Sequence, residues 1–475
     1  MRYTKIVCTL GPASMSKDQI RSLAKGGMNV ARLNLSHGKL EQHGKTIRTL
    51  EEINAELRNS NGVDSACIGI LLDTQGPEIR TGDVAKPIAI QKGDEVVFSP
   101  HTCPEEKRPV IIILHDKFPQ DAEHAERILI DNGELVFDFI KILPHGGVLA
   151  RSRDTGAIGS RRHVNLPGAT LSMPSFLDKD WEDMAFAAKE QVDFLALSFI
   201  RTAKDIEVAR AFLSERKSTI QIIAKIETRQ AVENIEEIIA ASDGIMVARG
   251  DLGAEVPFER VPVIQDQIVA LCKSAGKPVI VATHMLESMI HQPMPTRAEV
   301  TDIAHAAATA TDATMLSGET ASGQHPLEAL DAMVRVLRET ERHIGEQTHM
   351  EMTGTHTERE ARAEAAVTLA ISIEAKALVV MTRSGRSARD VCKFRPHLPV
   401  IAFTPDARVQ RTLQLSFGVL PVLIDFDDDP EKTVVTALQA AIKAGLLKAG
   451  DQIVLVSDTK AHDRTINTIQ IRGIW

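Results

Sequence analysis

Eight short β-rich runs, most of them leading into an amphipathic stretch, predict an α/β chain built on a (β/α)8 TIM barrel. Two breaks in that alternation predict an inserted small β-barrel lid and a separate C-terminal α/β domain. The runs are Lys5–Leu10, Asn29–Leu35, Ala66–Asp73, Asp193–Ser198, Gln221–Ile226, Gly244–Ala248, Pro278–Thr283 and Ala313–Leu316. Helix signals stand between them. Ser14–Asp18 opens a helix that Gly26 and Gly27 close, Pro295–Arg297 opens another, and Ala187–Gln191 leads back into a strand.

The first break follows the third run. Residues Thr81 to Asn165 lose the helical period and alternate as short strands, with turns at Lys92–Asp94, Asp131–Gly133 and Gly146–Gly147. Setting this all-β insert (81–165) aside, segments 1–80 and 166–345 total roughly 260 residues, close to the usual size of such a barrel. The second break is the polar stretch Gly345–Arg362, after which 346–475 reads as a further α/β domain. Ala363–Val380 is helix then strand, and Pro399–Thr404, Val419–Ile424 and Gln452–Val456 add strands.

Composition narrows the function. The 475 residues are 43% hydrophobic, 25% charged and only 4% aromatic, with a net charge of −9. Few aromatics and an acidic balance argue against a nucleic acid as the main partner. Cys8, Cys67, Cys103, Cys272 and Cys392 are widely spaced and form no Cys-x-x-Cys pair, so they read as reduced thiols. Met1–Lys5 runs straight into an apolar strand without a secretion-signal layout, and no apolar run reaches membrane-spanning length. A cytoplasmic protein with no membrane partner is the expectation.

Chemistry in this architecture sits at the C-terminal ends of the strands. Residues two apart on a strand share a face, which groups Arg32 with Asn34 and Ser36, Lys225 with Glu227, and Arg249 with Asp251. Asp73 and Thr74 end the third run, Thr283 the seventh, and Ser317–Glu319 follow the eighth. Each alone has a plain explanation: a helix cap for Thr283, a surface pair for Lys225 and Glu227, first-turn charges for Asp251 and Glu255. Their recurrence at one end of six strands does not, because buried ions cost several kcal/mol each unless paired or ligated. Glu227 and Asp251, on adjacent strands, are the hard oxygen ligands that Mg2+ or Mn2+ takes. There is no His/Cys set for zinc or iron, no P-loop and no dinucleotide fingerprint.

The ordered motifs Thr4–Ser14, Ala31–Gly38, Leu72–Gly82, Ile223–Glu227, Val247–Gly253, Ala282–Met289, Pro295–Glu299 and Met315–Thr320 resemble the signatures of the pyruvate kinase family, over essentially the whole chain. The resemblance implies transfer of the phosphoryl group of phosphoenolpyruvate to ADP, giving pyruvate and ATP at the end of glycolysis. It implies Mg2+ (or Mn2+) on Glu227 and Asp251, and K+ on Asn34, Ser36, Asp73 and Thr74. Glu78 stands where a Glu accompanies potassium dependence. Arg32 and Lys225 would meet the phosphoryl group, and the N–H groups of Gly250 and Asp251 the substrate carboxylate. Thr283, Ser317 and Glu319 would relay the proton, and Asn34, His37, Arg80 and Lys179 would lie near the nucleotide. A homotetramer is also implied.

The sequence departs from that pattern at Gln75, His284 and the pair Arg162-His163, which bears on lid closure and nucleotide preference. In the C-terminal region Thr382, Arg383, Ser384, Gly385, Arg386 and Ser387 resemble an effector phosphate loop, with an ordinary capped helix start as the alternative. The segment Ser457–Thr468 lacks the glycines of a sugar-bisphosphate pocket, so a phosphorylated effector is expected without its identity. Two rivals stand beside the kinase: a metal-dependent enolpyruvate lyase or aldolase, and a metabolite sensor without catalysis.

Overall fold

Eight parallel strands close into a barrel in the computed structural model, which describes residues 2–60, 67–169, 171–345, 357–461 and 464–475. They are β1 (Lys5–Thr9), β2 (Val30–Asn34), β3 (Gly69–Asp73), β4 (Phe194–Leu197), β5 (Gln221–Ile226), β6 (Gly244–Ala248), β7 (Val279–Ala282) and β8 (Ala313–Leu316). Each pairs with its successor, and β8 returns to β1 with Ala313 opposite Lys5. The predicted start of the third strand, Ala66, lies outside the described residues; the strand begins at Gly69.

Side-chain parity decides what fills the barrel. Val7, Val30, Leu71, Phe194, Ala196, Ile223, Met246, Ile280 and Met315 form one buried cluster inside it, joined by Leu415 from the C-terminal region. The alternate residues, among them Ile6, Leu33, Leu72, Leu195, Ile222, Val247 and Val281, pack outward against the helices. Where the inner face runs past the apolar layers it becomes Thr9, Arg32, Asp73, Ser198, Lys225 and Glu227, all buried. The mouth is thus the polar continuation of the core.

The caps act as the sequence predicts. Ser16 accepts from Gln19 N–H to start the first helix, Lys17–Gly26, and Gly27 ends it with φ 118°. Thr296 and Glu299 cap the helix Arg297–Ala308 reciprocally.

Between β3 and the helix Asp178–Glu190 the chain builds a seven-stranded sheet, in the order Ile79–Arg80, His163–Asn165, Ile128–Ile130, Leu135–Ile142, Val148–Ser152, Glu95–Ser99, Val110–Ile112. Its two edge strands meet through a Thr81–Ile113 bridge, reinforced by Gly82 N–H to Ile112 O (2.7 Å) and Leu114 N–H to Arg80 O (2.8 Å). This rolls the sheet into the expected small barrel around Phe98, Phe118 and Phe137. A two-stranded ribbon, Ile88–Ile90 with Gly156–Ile158, lies beside it.

The C-terminal region forms a five-stranded sheet with Ala377–Met381 at its centre, parallel to Val400–Thr404 and to Gln452–Ala461. Its last strand, Arg464–Gly473, runs antiparallel and was not anticipated; residues 462–463 of the segment Ser457–Thr468 lie outside the described residues. The polar stretch Gly345–Arg362 is described only at its ends. All five cysteines are free thiols, and only Cys103 is not buried. Among the described residues no helix is long and apolar enough to cross a membrane.

Candidate active site

Lys225 is the centre of the mouth. Its ammonium donates to Ser198 Oγ (2.6 Å) and lies 3.1 Å from Asp73 Oδ1 and 2.9 Å from Glu227 Oε1. Burial opposes the charge most strongly, but Asp73 and Glu227 outweigh it, and the Lys225 pKa ends above the ordinary lysine value. Asp73 also accepts from Arg32 Nε at 2.7 Å, while Arg32 Nη1 donates to Thr9 Oγ1 at 2.9 Å. Burial pushes the Asp73 carboxyl up, Arg32 and Lys225 pull it down further, and it stays below its ordinary range. Arg32 and Lys225 therefore share one carboxylate, which fixes both cations at one spot.

Glu227 is fully buried and short of partners. Oε2 accepts the Phe199 N–H at 2.6 Å, whereas Oε1, beside Lys225, accepts no aligned hydrogen bond. Burial is the main cause of its raised pKa; Lys225 opposes this and Asp251 adds to it. Three carboxylates (Asp73, Glu227, Asp251) thus act on Lys225 against one other cation, Arg32. That surplus of negative oxygen, with Glu227 Oε1 held by the Lys225 ion pair alone and a half-buried Asp251, fits a small divalent cation. Among the described residues no group of three or more His, Cys, Asp or Glu side chains is arranged to hold a metal ion, the mouth included, so a cation on Glu227 and Asp251 would need further oxygens from substrate and water.

Asn34 lies opposite Asp73 in the β2–β3 register, and its Oδ1 accepts the Ser36 N–H at 3.1 Å. Thr74 is tied to Ser198, whose N–H reaches Thr74 Oγ1 (3.2 Å) and whose hydroxyl reaches Thr74 O (2.8 Å). The four residues matched to K+ thus come together at the ends of two neighbouring strands.

Parity fails at β6. Arg249–Glu255 is already helical, so Arg249 and Asp251 do not share a face. Arg249 turns away to Asp302 (2.7 Å) and to the Thr283 and Ala282 carbonyls. Thr283 opens no helix of its own: it and His284 sit at φ 65° and 54°, a costly left-handed pair for non-glycine residues. Thr283 Oγ1 accepts the Gly250 N–H (2.8 Å), so one of the two N–H groups matched to the substrate carboxylate is engaged internally. Glu319 takes the N–H groups of Leu286 (3.0 Å) and Ser317 (2.7 Å), while the Ser317 hydroxyl is buried without a partner. The relay residues are neighbours, but no hydrogen bond among the described residues links Thr283 to Glu319 or to the Ser317 hydroxyl.

The nucleotide candidates sit at the rim. His37 is exposed, and its carbonyl holds the His43 ring at 2.7 Å. Lys179, half-exposed, pairs with Asp183 at 2.7 Å and lowers the His43 pKa after the larger effect of burial. Arg80 lies in the lid hinge, pairing with Glu78 and donating to Arg161 O at 2.8 Å. In the C-terminal loop Gly385 (φ 77°) precedes the short helix Arg386–Cys392 without a side-chain cap, and Arg383 lies over the Phe426 ring at 5.0 Å. The hydroxyls of Thr382, Ser384 and Ser387 therefore do not cap it.

Ser198 and Phe199 escaped the sequence reading. A single Ser after a strand looks like any cap, yet Ser198 bonds Lys225 and Phe199 holds Glu227. The one available signal was parity, since Ser198 continues the inward face of Ala196.

The chain's similarities agree with this geometry. Residues 1–330 match the family model "Pyruvate kinase, barrel domain", and residues 360–472 match "Pyruvate kinase, alpha/beta domain". The chain is 40% identical to plastidial pyruvate kinase 2 of Arabidopsis thaliana, over 100% of itself and 81% of that relative. It is 37% identical to the pyruvate kinase of Clostridium acetobutylicum over the full length of both. Pyruvate kinase isozyme G of Nicotiana tabacum chloroplasts is 41% identical over 96% of this chain and 80% of its own.

Proposed function

Because the chain belongs to the pyruvate kinase family it is a phosphotransferase, and we propose that its barrel mouth carries the phosphoryl group of phosphoenolpyruvate to ADP, giving pyruvate and ATP. The observation that carries the reading is the buried Lys225, held by Asp73, Glu227 and Ser198 beside Arg32. Phosphoryl transfer asks the protein for positioning and charge neutralisation more than covalent help. Lys225 neutralises the migrating group, and Arg32, braced by Asp73 and Thr9, holds the phosphate for it. Neither cation has to reorganise during the reaction.

Glu227 and Asp251 would hold Mg2+ or Mn2+, which supplies Lewis-acid neutralisation of substrate oxygens. Asn34, Ser36, Asp73 and Thr74 offer the oxygen set for K+. The Asp251 N–H, with Gly250 once Thr283 yields it, receives the substrate carboxylate. Thr283, Ser317 and Glu319 deliver the proton to the enolate carbon; the orphan Ser317 hydroxyl supports that role. His37, Arg80 and Lys179, with Asn34, contact the nucleotide. Thr382–Ser387 would take a phosphorylated effector, in a cytoplasmic homotetramer serving the last step of glycolysis.

The test is ATP formation from phosphoenolpyruvate and ADP while Mg2+ and K+ are varied separately. ATP dependent on both is expected. Pyruvate released without ATP would favour the lyase reading, and no turnover with both ions present would leave only the sensor.

A further inference from the structure

We propose that His163, a lid residue, is a positioning residue that seats the lid on the barrel mouth and holds the two carboxylates beneath it. Three contacts converge on its ring. Nδ1 faces Asn132 Oδ1 at 3.2 Å and Asp251 Oδ1 at 3.8 Å, and the ring meets Phe199 edge-on with centroids 5.9 Å apart. The Asn132 oxygen in hydrogen-bond reach assigns the proton to Nδ1, and the Asp251 carboxylate oxygen lies on the same side of the ring.

These partners belong to different parts of the molecule. Asn132 lies in the lid turn Asp131–Gly133, Asp251 in the first turn after β6, and Phe199 just past β4. Phe199 is itself strained, at φ 53°, and its N–H holds Glu227 Oε2 at 2.6 Å. One imidazole therefore stands 3.8 Å from Asp251 and reaches Glu227 through Phe199. His163 pairs with Arg80 of the hinge strand, so lid rotation must carry the ring with it.

Other contacts share the seam without sharing this reach. Asn165 Nδ2 donates to Glu255 Oε1 at 3.2 Å, and Arg229 pairs with Glu126 at 2.9 Å across an exposed rim. Beside them opens a cavity of about 330 Å³, lined among others by His163, Asn165, Phe199 and Glu255. The seam is only partly packed, and an aromatic strut there has more leverage than a rim ion pair.

The seating role concerns the ligand-free chain; only its kinetic consequence rests on the transferase reading. The experiment is amide hydrogen exchange on the ligand-free full chain, comparing wild type with His163→Ala and His163→Asn. In His163→Ala, exchange at 128–137, 163–168 and 249–256 should rise on the order of tenfold, with the C-terminal region unchanged. His163→Asn, which keeps a donor within reach of Asn132 and Asp251, should recover much of that protection. In turnover, His163→Ala should raise the KM for phosphoenolpyruvate roughly 3- to 10-fold, more than it lowers kcat. Unchanged exchange at the seam, or a rise spread evenly through the chain, overturns the proposal. Absence of ATP formation by the wild type would sink the transferase reading and leave the exchange result standing.

Discussion

The two ends of the barrel both bury charge, and they treat it in opposite ways. At the foot, where the strands begin, Asp312 precedes β8 and receives Arg395 through both guanidinium nitrogens, at 2.8 and 2.6 Å. The same carboxylate takes the N–H groups of Phe417 and Val279. Asp193, ahead of β4, likewise takes Arg411 at 3.0 Å and the Ile70 N–H at 2.9 Å. One carboxylate meets one arginine in each case, and every carboxylate oxygen is satisfied. Lys5, also buried there, donates to the Val419 carbonyl, and burial pushes its pKa down to about 8. At the mouth three carboxylates crowd two cations, and Glu227 Oε1 has the Lys225 ion pair but no aligned hydrogen bond. At the foot the carboxylates are satisfied, with Arg395 Nε the atom left without a hydrogen bond, and these pairs join the barrel to the C-terminal region; at the mouth it is carboxylate charge that is in surplus.

The sharpest way to break this contrast is at its centre. Lys225→Met should lower kcat by about a thousandfold, the scale of losing one preorganised charge at a transition state. The substitution leaves Asp73 with Arg32 as its cation but deprives Glu227 of its ion-pair partner, so stability should fall as well and kcat is to be read on the folded fraction. Near-normal turnover would mean that the lysine is structural, like those at the foot. The opposite pattern is expected for Asp312→Asn. It leaves the Arg395 guanidinium buried against a neutral amide, and breaking such a pair costs about 3–5 kcal/mol. A denaturation midpoint far below wild type, with kcat of the folded fraction retained, is the expected result. Intact stability together with lost turnover would erase the distinction between the ends.

How much of this was legible in the sequence depended on how far one period ran. Arg32 with Asn34 and Lys225 with Glu227 were paired correctly, because they lie on the inward face that Val30 and Ile223 begin. The same rule misassigned Arg249 because the chain turns helical there, and residues two apart then point apart. Thr283 carries no mark of its left-handed backbone, since a β-branched residue has no propensity for it, and His284, a type that tolerates it, is too weak a signal alone. The lid's closure rests on a single bridge, Thr81–Ile113, below the resolution of any hydrophobic pattern. The final strand, Arg464–Gly473, was hidden for a different reason. It is an edge strand of isoleucines set among Thr, Asn, Gln and Arg, with Ile466 and Ile471 exposed, so no buried stripe announces it. What propensity and parity encode was readable; what long-range packing imposes on a backbone was not.

The smallest expected effect is also the most discriminating, because it asks whether the carboxylate surplus at the mouth is paid for in stability. Burial raises the Glu227 pKa above an ordinary glutamate, so the folded chain holds a proton that the unfolded chain releases. Between the unfolded and folded pKa values the native state binds more protons, and stability from this group falls as pH rises through that window. Above the window the ionised carboxylate is a net cost. Glu227→Gln removes the charge while keeping an acceptor for the Phe199 N–H. In metal-free buffer the variant should melt roughly 2 °C above wild type at pH 8. The gap should shrink as the pH drops toward the ordinary carboxylate range, and turnover should be lost at every pH. A carboxylate at the foot such as Asp312, engaged through both oxygens, should show no such gain when neutralised. If Glu227→Gln melted below wild type at pH 8, the mouth would be as internally balanced as the foot, and its surplus of carboxylate charge would no longer argue for a bound cation.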